Sequence, residues 1–355
     1  MCQNTPMPTT SLDQIGAYLL PGRVTDPRLA IGQAQTAEHL GLGTVWISER
    51  YGTKDVAAIG GAVAQATHTV KIATGISHYL FRHPLAQASM AMTLQALSNG
   101  RFMLGVGRSV APTWRAAGFP PMSNQILIDS ADIHRRLCAG EKVRYDGPAG
   151  KFPALKLGDL PAVPPPPLLL AAMGPNTLTL AGRHYDGVIL HPFLTVDAVA
   201  RSAAIVRGAA SEAGRDPTAV KVYATVVTAP DVTSDHELAI VGGRAVTYYQ
   251  IPAFGDLLAA VNQWDVNALT AFRAHPMLVN LRGAADDIFT KEQLAEVSRA
   301  LPQHWLSEAS AVGTAAHCAA RLQDYLAAGA DEIIIHGAVP ELLGPLAQHF
   351  AARQD

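Results

Sequence analysis

Cysteine is scarce and unpatterned in this sequence. The 355 residues hold three, Cys2, Cys138 and Cys318, with no CxxC and no Cys/His ligand spacing. An odd, scattered set argues against a disulfide framework and fits a reducing cytoplasm. Charge is nearly balanced at −2, which leaves no general electrostatic reason to bind nucleic acid or an anionic membrane. The opening residues, MCQNTPMPTTSLDQ, lack the basic and apolar regions of a secretory leader, so a protein that stays in the cytoplasm is expected. The longest uninterrupted apolar run, Pro167–Met173, is too short to cross a bilayer. HExxH, GxSxG and Walker loops are missing, and the thirteen histidines have no ligand spacing. A metal site is therefore not expected, and a metal hydrolase is a minor reading.

What the chain has is apolar residues, 49% against 16% charged, arranged in recurring short runs. Strands are expected at 14–20, 43–48, 70–76, 101–107, 167–173, 185–191, 220–228 and 331–337. Most are continuously apolar, which marks parallel strands buried on both faces. The segments between them have helical length, alanine- and leucine-rich faces and a terminal glycine. Three helix-to-strand joints, at 38–48, 180–190 and 325–335, echo one another as stacked units would. Eight strands with helices between them predict a (β/α)8 TIM barrel. The competing open, doubly wound sheet is disfavoured because no GxGxxG opens the first helix.

Two stretches exceed a minimal barrel. Residues 141–166 are rich in glycine and proline and predict an extended excursion. Residues 230–312 predict a helical insertion between the seventh and eighth strands. It leaves the C-terminal mouth of the barrel, where active sites lie, and is expected to wall a pocket. The whole chain, 1–355, reads as one such domain.

A barrel puts functional groups at the C-terminal ends of its strands. Those positions hold Ser48 to Tyr51, Gly75 to Arg82, Gly105, Gly107, Arg108 and Ser109, Met173 to Asn176, His191 and His336. The run AAMGPNTLTLAG (171–182) suits an anion. A strand ends in a glycine turn, Pro175 fits the first helical position, and Asn176 and Thr177 offer N–H groups at the positive end of a helix dipole. LGVGRS (104–109) adds a second glycine turn and an arginine, so a phosphate-bearing ligand is expected. Cys138 sits in a helical stretch and reads as a buried structural thiol.

TVWISER (44–50), KIATGISHYLFRHP (71–84), LSNGRFMLGVGRS (97–109), LCAGEKVRYDG (137–147), LLLAAMGPNTLTLAGRHYDGVIL (168–190) and LAAGADEIII (326–335) together resemble the bacterial luciferase-like superfamily. The resemblance covers most of the chain in the right order, residues 230–312 excepted. It implies a (β/α)8 barrel that uses flavin mononucleotide or the deazaflavin coenzyme F-420. In the branch using F-420, closest to predicted actinobacterial oxidoreductases, the third strand carries a bulge with a non-proline cis peptide against which the ring packs. Thr74, Gly75, Ile76 and Ser77 occupy the matching place, and glycine tolerates unusual torsions there. By the same resemblance Gly107, Arg108, Met173, Gly174, Pro175, Asn176 and Thr177 hold the cofactor's far, phosphate-bearing end. Relatives often carry Asp-His or Glu-His after strand two. Here the pair is Glu49-Arg50, and a guanidinium cannot release its proton near neutral pH.

The implied activity is hydride transfer between coenzyme F-420 and a small organic substrate. The alternatives are an FMN-dependent monooxygenase and a non-catalytic flavin- or deazaflavin-binding protein. Glu49, His78 and His191 are the candidates to carry the accompanying proton, with Arg50 and Arg82 as electrostatic partners. Relatives commonly form homodimers, so a homodimer is expected.

Overall fold

The computed structural model describes residues 11–22, 24–50 and 54–351. Twelve strands run in chain order among them. They are β1 (Ile15–Leu19), β2 (Thr44–Ile47), β3 (Lys71–Thr74), β4 (Ser77–His78), β5 (Phe102–Gly107) and β6 (Val143–Gly147). Then come β7 (Gly150–Leu155), β8 (Leu168–Ala172), β9 (Gly187–Leu190), β10 (Lys221–Pro230), β11 (Ser310–Gly313) and β12 (Glu332–Gly337). Each strand expected from the sequence is present, within three residues at either end.

β1, β2, β3, β5, β8, β9, β10 and β12 pair side by side, all parallel, and β12 returns to β1 through Ile15↔Ile333. The barrel is therefore closed, and the (β/α)8 reading holds. Its interior follows from the period of two along a strand. Tyr18, Trp46, Ala73, Met103, Leu169, Ile189, Tyr223 and Ile334, one residue from each barrel strand, pack into a single buried cluster. Their neighbours, such as Ala17, Val45, Ile72 and Ile333, face outward into the larger shell between strands and helices. Below the cluster Glu332 accepts from Thr44 Oγ1 (3.0 Å), Trp46 Nε1 (3.2 Å) and Lys71 Nζ (3.3 Å). Burial raises its carboxyl pKa against the pull of Lys71.

The same alternation, carried two residues toward the C-terminal mouth, brings Gly75, Gly105, Ala171, His191, Thr225 and His336 to face the barrel axis. The mouth floor is thus small on the β3–β5–β8 side and carries imidazoles on the β9 and β12 sides.

The excursion at 141–166 contains the antiparallel hairpin of β6 and β7. It clads two helices, Pro84–Leu97 and Asn124–Cys138, through Ala88, Met92, Ile133 and Leu137. Between β10 and β11 lies a series of short helices, including Gly243–Tyr249, Phe254–Val261 and Ala285–Ile288. β11 itself was not legible in the sequence. Its SAVG pairs with the far half of β10 (Val227↔Ser310) and is held by that neighbour more than by its own propensity. Among the described residues no helix is long and apolar enough to cross a membrane, and no His/Cys/Asp/Glu group could hold a metal.

Candidate functional site

The third strand breaks where the sequence has glycine. Ile72 and Ala73 pair with Phe102 and Met103, and pairing resumes at Ser77↔Val106 and His78↔Gly107. The β3 side advances one residue more than β5 over this gap, which is a bulge. The Gly75–Ile76 peptide within it is cis. Tyr18 donates its hydroxyl to the Gly75 carbonyl at 2.8 Å, and a Cβ on Gly75 would stand 2.5 Å from that same hydroxyl oxygen. Only glycine leaves room for this approach. Thr74 closes the ladder where the backbone cannot, its hydroxyl donating to Gly105 O (2.7 Å) and accepting from Gly105 N (2.9 Å).

Behind the bulge stands Glu49. Its backbone N–H donates to Ile76 O (3.2 Å), and its carboxylate accepts from Ser77 Oγ (2.6 Å) and Arg82 Nη2 (2.5 Å). The carboxylate is 3% exposed, and Arg82 continues to Asp55 at 2.7 Å. Both Glu49 oxygens are thus engaged in holding the bulge. His78 is also tied down. Its Nδ1 accepts from Leu80 N (3.0 Å), so Nε2 carries the proton and donates to Arg108 O (2.7 Å). Burial lowers its pKa, so the ring is neutral.

Ile76 links the bulge to the second glycine turn. A Cβ on Gly107 would overlap Ile76 Cδ1 and crowd Ala171. Arg108 follows directly. Its Nη2 donates to Asn124 Oδ1 (2.6 Å) and to Thr177 Oγ1 (3.0 Å), which sets the guanidinium at the start of the helix Pro175–His184. Gly174 caps that helix, and its carbonyl accepts from Thr177 N and Leu178 N. Pro175 lacks an N–H, so the Asn176 N–H, the Thr177 hydroxyl and Arg108 are the donors at this corner. Met173, 7% exposed, seats the strand end below them. A planar ring with a phosphate-bearing tail needs an apolar wall beside an anion anchor. Ile76, Gly107 and Arg108 supply both contiguously, so the residues fit such a group.

Opposite this corner the mouth is polar. His191 donates from Nδ1 to Pro192 O (2.7 Å), leaving Nε2 with its lone pair and no hydrogen-bond partner among the described residues. Burial drives its pKa down to about 4. Its ring meets Tyr248 at 4.6 Å and Phe254 at 5.0 Å, both from the insertion. The His336 ring packs against Tyr18 at 4.8 Å, tilted by 45°, and its Nδ1 is buried without a hydrogen-bond partner among the described residues. Its pKa falls well below the usual range through burial, then through Arg244, His191, Arg50 and Lys54. Arg50 reaches Asp286 in the insertion at 2.7 Å. Lys54 donates to Leu20 O (2.7 Å), and burial followed by Arg50 and Arg244 lowers its pKa to about 8. Tyr51 lies outside the described residues.

The fold therefore brings Arg50, His191 and the bulge to one mouth, with Arg108 and Gly174–Thr177 at its corner, and uses Glu49 and His78 to brace it. The sequence reading missed Tyr18, Arg244, Tyr248 and Asp286. Tyr18 was reachable from strand alternation, whereas the three insertion residues carry no motif.

The family model described as luciferase-like monooxygenase matches residues 7–332. The chain is 34% identical over 208 residues to a 5,10-methylenetetrahydromethanopterin reductase of Methanolobus tindarius, covering 56% of this chain and 61% of that protein. It is 31% identical over 231 residues to an F420-dependent hydroxymycolic acid dehydrogenase of Mycobacterium tuberculosis, covering 60% and 62%. These matches span about three-fifths of either relative. Among solved structures, the coenzyme F420 dependent tetrahydromethanopterin reductase from Methanopyrus kandleri superposes with a TM-score of 0.79 at 18% identity, covering 98% of this chain and all of that one. That likeness bears on the fold alone.

Proposed function

The chain belongs to the luciferase-like monooxygenase family, and we propose that within it the protein is a coenzyme F-420-dependent oxidoreductase acting on a small organic substrate. The observation carrying this reading is the continuity of Ile76, Gly107 and Arg108, an apolar wall running into an anion anchor at the barrel mouth. The M. tuberculosis relative, an F420-dependent dehydrogenase, supports the deazaflavin over FMN.

The cofactor, when bound, supplies a hydride donor or acceptor. Thr74, Gly75, Ile76 and Ser77 present the wall. Gly107, Arg108 and Met173–Thr177 hold the tail, Arg108 by charge and Thr177 by its hydroxyl. Glu49 keeps the bulge in place through Ser77 and the Ile76 carbonyl. Among the proton candidates His191 is the one whose nitrogen is not engaged by the protein, since His78 spends both on backbone groups. With Nδ1 engaged by Pro192 O, His191 Nε2 is the atom that would take the substrate's proton in one direction and return it in the other. Arg50 holds Asp286 of the insertion and adds its positive field to the mouth. The helices between β10 and β11 wall the pocket through Tyr248 and Asp286, as part of the same domain. A cytoplasmic homodimer completes the proposal, the location being supported by Cys138 and Cys318 as buried free thiols.

Titrating the purified protein with coenzyme F-420 and with FMN, then following bleaching of the bound cofactor with candidate substrates, tests the reading. Binding of F-420 with turnover is expected. Preference for FMN with oxygen uptake favours the monooxygenase instead, tight binding without turnover favours a carrier, and failure to bind either removes the cofactor argument.

A further inference from the structure

Positive charge gathers across β3 from Arg108. Arg50 follows β2, and Lys54 bonds the carbonyl of Leu20 just past β1. Arg244 arrives from the helix Gly243–Tyr249, its Nη2 3.4 Å from where a Cβ of Gly22 would stand. Asp286 is the carboxylate that reaches this group, and Arg50 takes its Oδ2 at 2.7 Å. The field of Asp286 also reaches Arg244. Arg244 forms no ion pair among the described residues; its polar neighbour is the Tyr248 hydroxyl. Burial, more than any neighbour, lowers its pKa. A half-buried guanidinium with no bonded carboxylate among the described residues leaves its charge poorly balanced, and a chain that keeps one at a barrel mouth has a use for an anion there.

We propose that the pocket above the Gly75–Ile76 peptide takes a substrate bearing a carboxylate or a phosphate, and that Arg244 receives that anionic group. The proposal rests on the reading of this mouth as the substrate site and adds the substrate's chemical class. The geometry also limits its size. Tyr248 bridges Arg244 to His191, its ring 4.6 Å from the imidazole. An anion on Arg244 therefore places the adjoining carbons beside His191 and His336, within a few bonds of the charged end. His336 lies in the field of Arg244, Arg50 and Lys54, and the substrate's own charge answers those cations.

Succinate, its neutral counterpart succinamide, and inorganic phosphate serve as probes, titrated calorimetrically into protein saturated with coenzyme F-420 and into the cofactor-free protein. One anion should bind at least tenfold more tightly than succinamide, succinate leading if the natural group is a carboxylate and phosphate if it is a phosphate. Arg244→Gln should abolish the preference, and Arg244→Lys should restore part of it. Equal binding of succinate and succinamide with no phosphate binding, or an anion preference untouched by Arg244→Gln, overturns the proposal. Should Arg244→Gln fail to fold, the probe comparison on the unsubstituted protein decides alone. F-420 binding without any anion preference refutes this inference and leaves the cofactor reading intact. An Arg244-dependent anion preference in a protein that binds neither cofactor does the reverse.

Discussion

Ser77 donates its hydroxyl to Glu49 Oε2 at 2.6 Å while the backbone N–H of Glu49 holds the Ile76 carbonyl at 3.2 Å. Two residues 28 positions apart thereby clasp the bulge from behind, and Arg82 neutralises the clasp at 2.5 Å. The acidic residue after β2 works here as a brace for the bulge.

Glu49→Gln keeps an acceptor for Ser77 and loses the charge opposite Arg82. Turnover should fall, by up to about 100-fold if the bulge shifts, with cofactor affinity kept within a few-fold. Stopped-flow bleaching of the bound cofactor beside a fluorescence titration measures both. Unchanged turnover removes Glu49 from the mechanism.

Arg108→Ala removes the charged donor beside Thr177 and the Gly174 cap. Loss of charge-assisted bonds worth about 1.5–3 kcal/mol predicts cofactor binding weaker by about 10- to 100-fold. Repeating the titration at two salt concentrations should give a smaller salt dependence than in the unsubstituted protein. An unchanged affinity would place the phosphate elsewhere.

His191 is held neutral in the fold, its pKa near 4 against an unfolded value near 6.5. Between these values the unfolded chain binds the extra proton, so stability should fall as pH drops from about 6.5 to about 4 and level off below for this group. His191→Phe should flatten that part of the urea-unfolding profile. For the same reason the pH–rate profile should have no inflection near 6.5 arising from His191.

Gly105 and Gly208 should respond oppositely to alanine. A Cβ at Gly105 would overlap the Thr74 carbonyl oxygen and crowd Ile189 Cδ1 (2.6 Å), so Gly105→Ala should destabilise by about 2–3 kcal/mol. Gly208, inside the helix Val196–Glu212, has no atom within 4 Å of such a Cβ. Gly208→Ala should stabilise by about 0.5–1 kcal/mol. Chemical denaturation of the two variants is the check.

The sequence by itself determined the eight strands, because a strand buried on both faces writes its apolar run locally. It also determined the interruption at Gly75 and the Gly174–Pro175 helix start, since both depend on the torsions of a few adjacent residues. Tertiary structure decided which groups face the mouth and what they are free to do. Glu49 and His78 read as proton carriers until the assembled strands put Ser77 and Arg82 against the one and Arg108 against the other. Asp286 meets Arg50 across 236 positions of sequence, and no local pattern in the insertion announces it. Which polar atoms are used up by the protein, and which are left for a ligand, is settled by contacts between distant segments, and those form only once the barrel has closed.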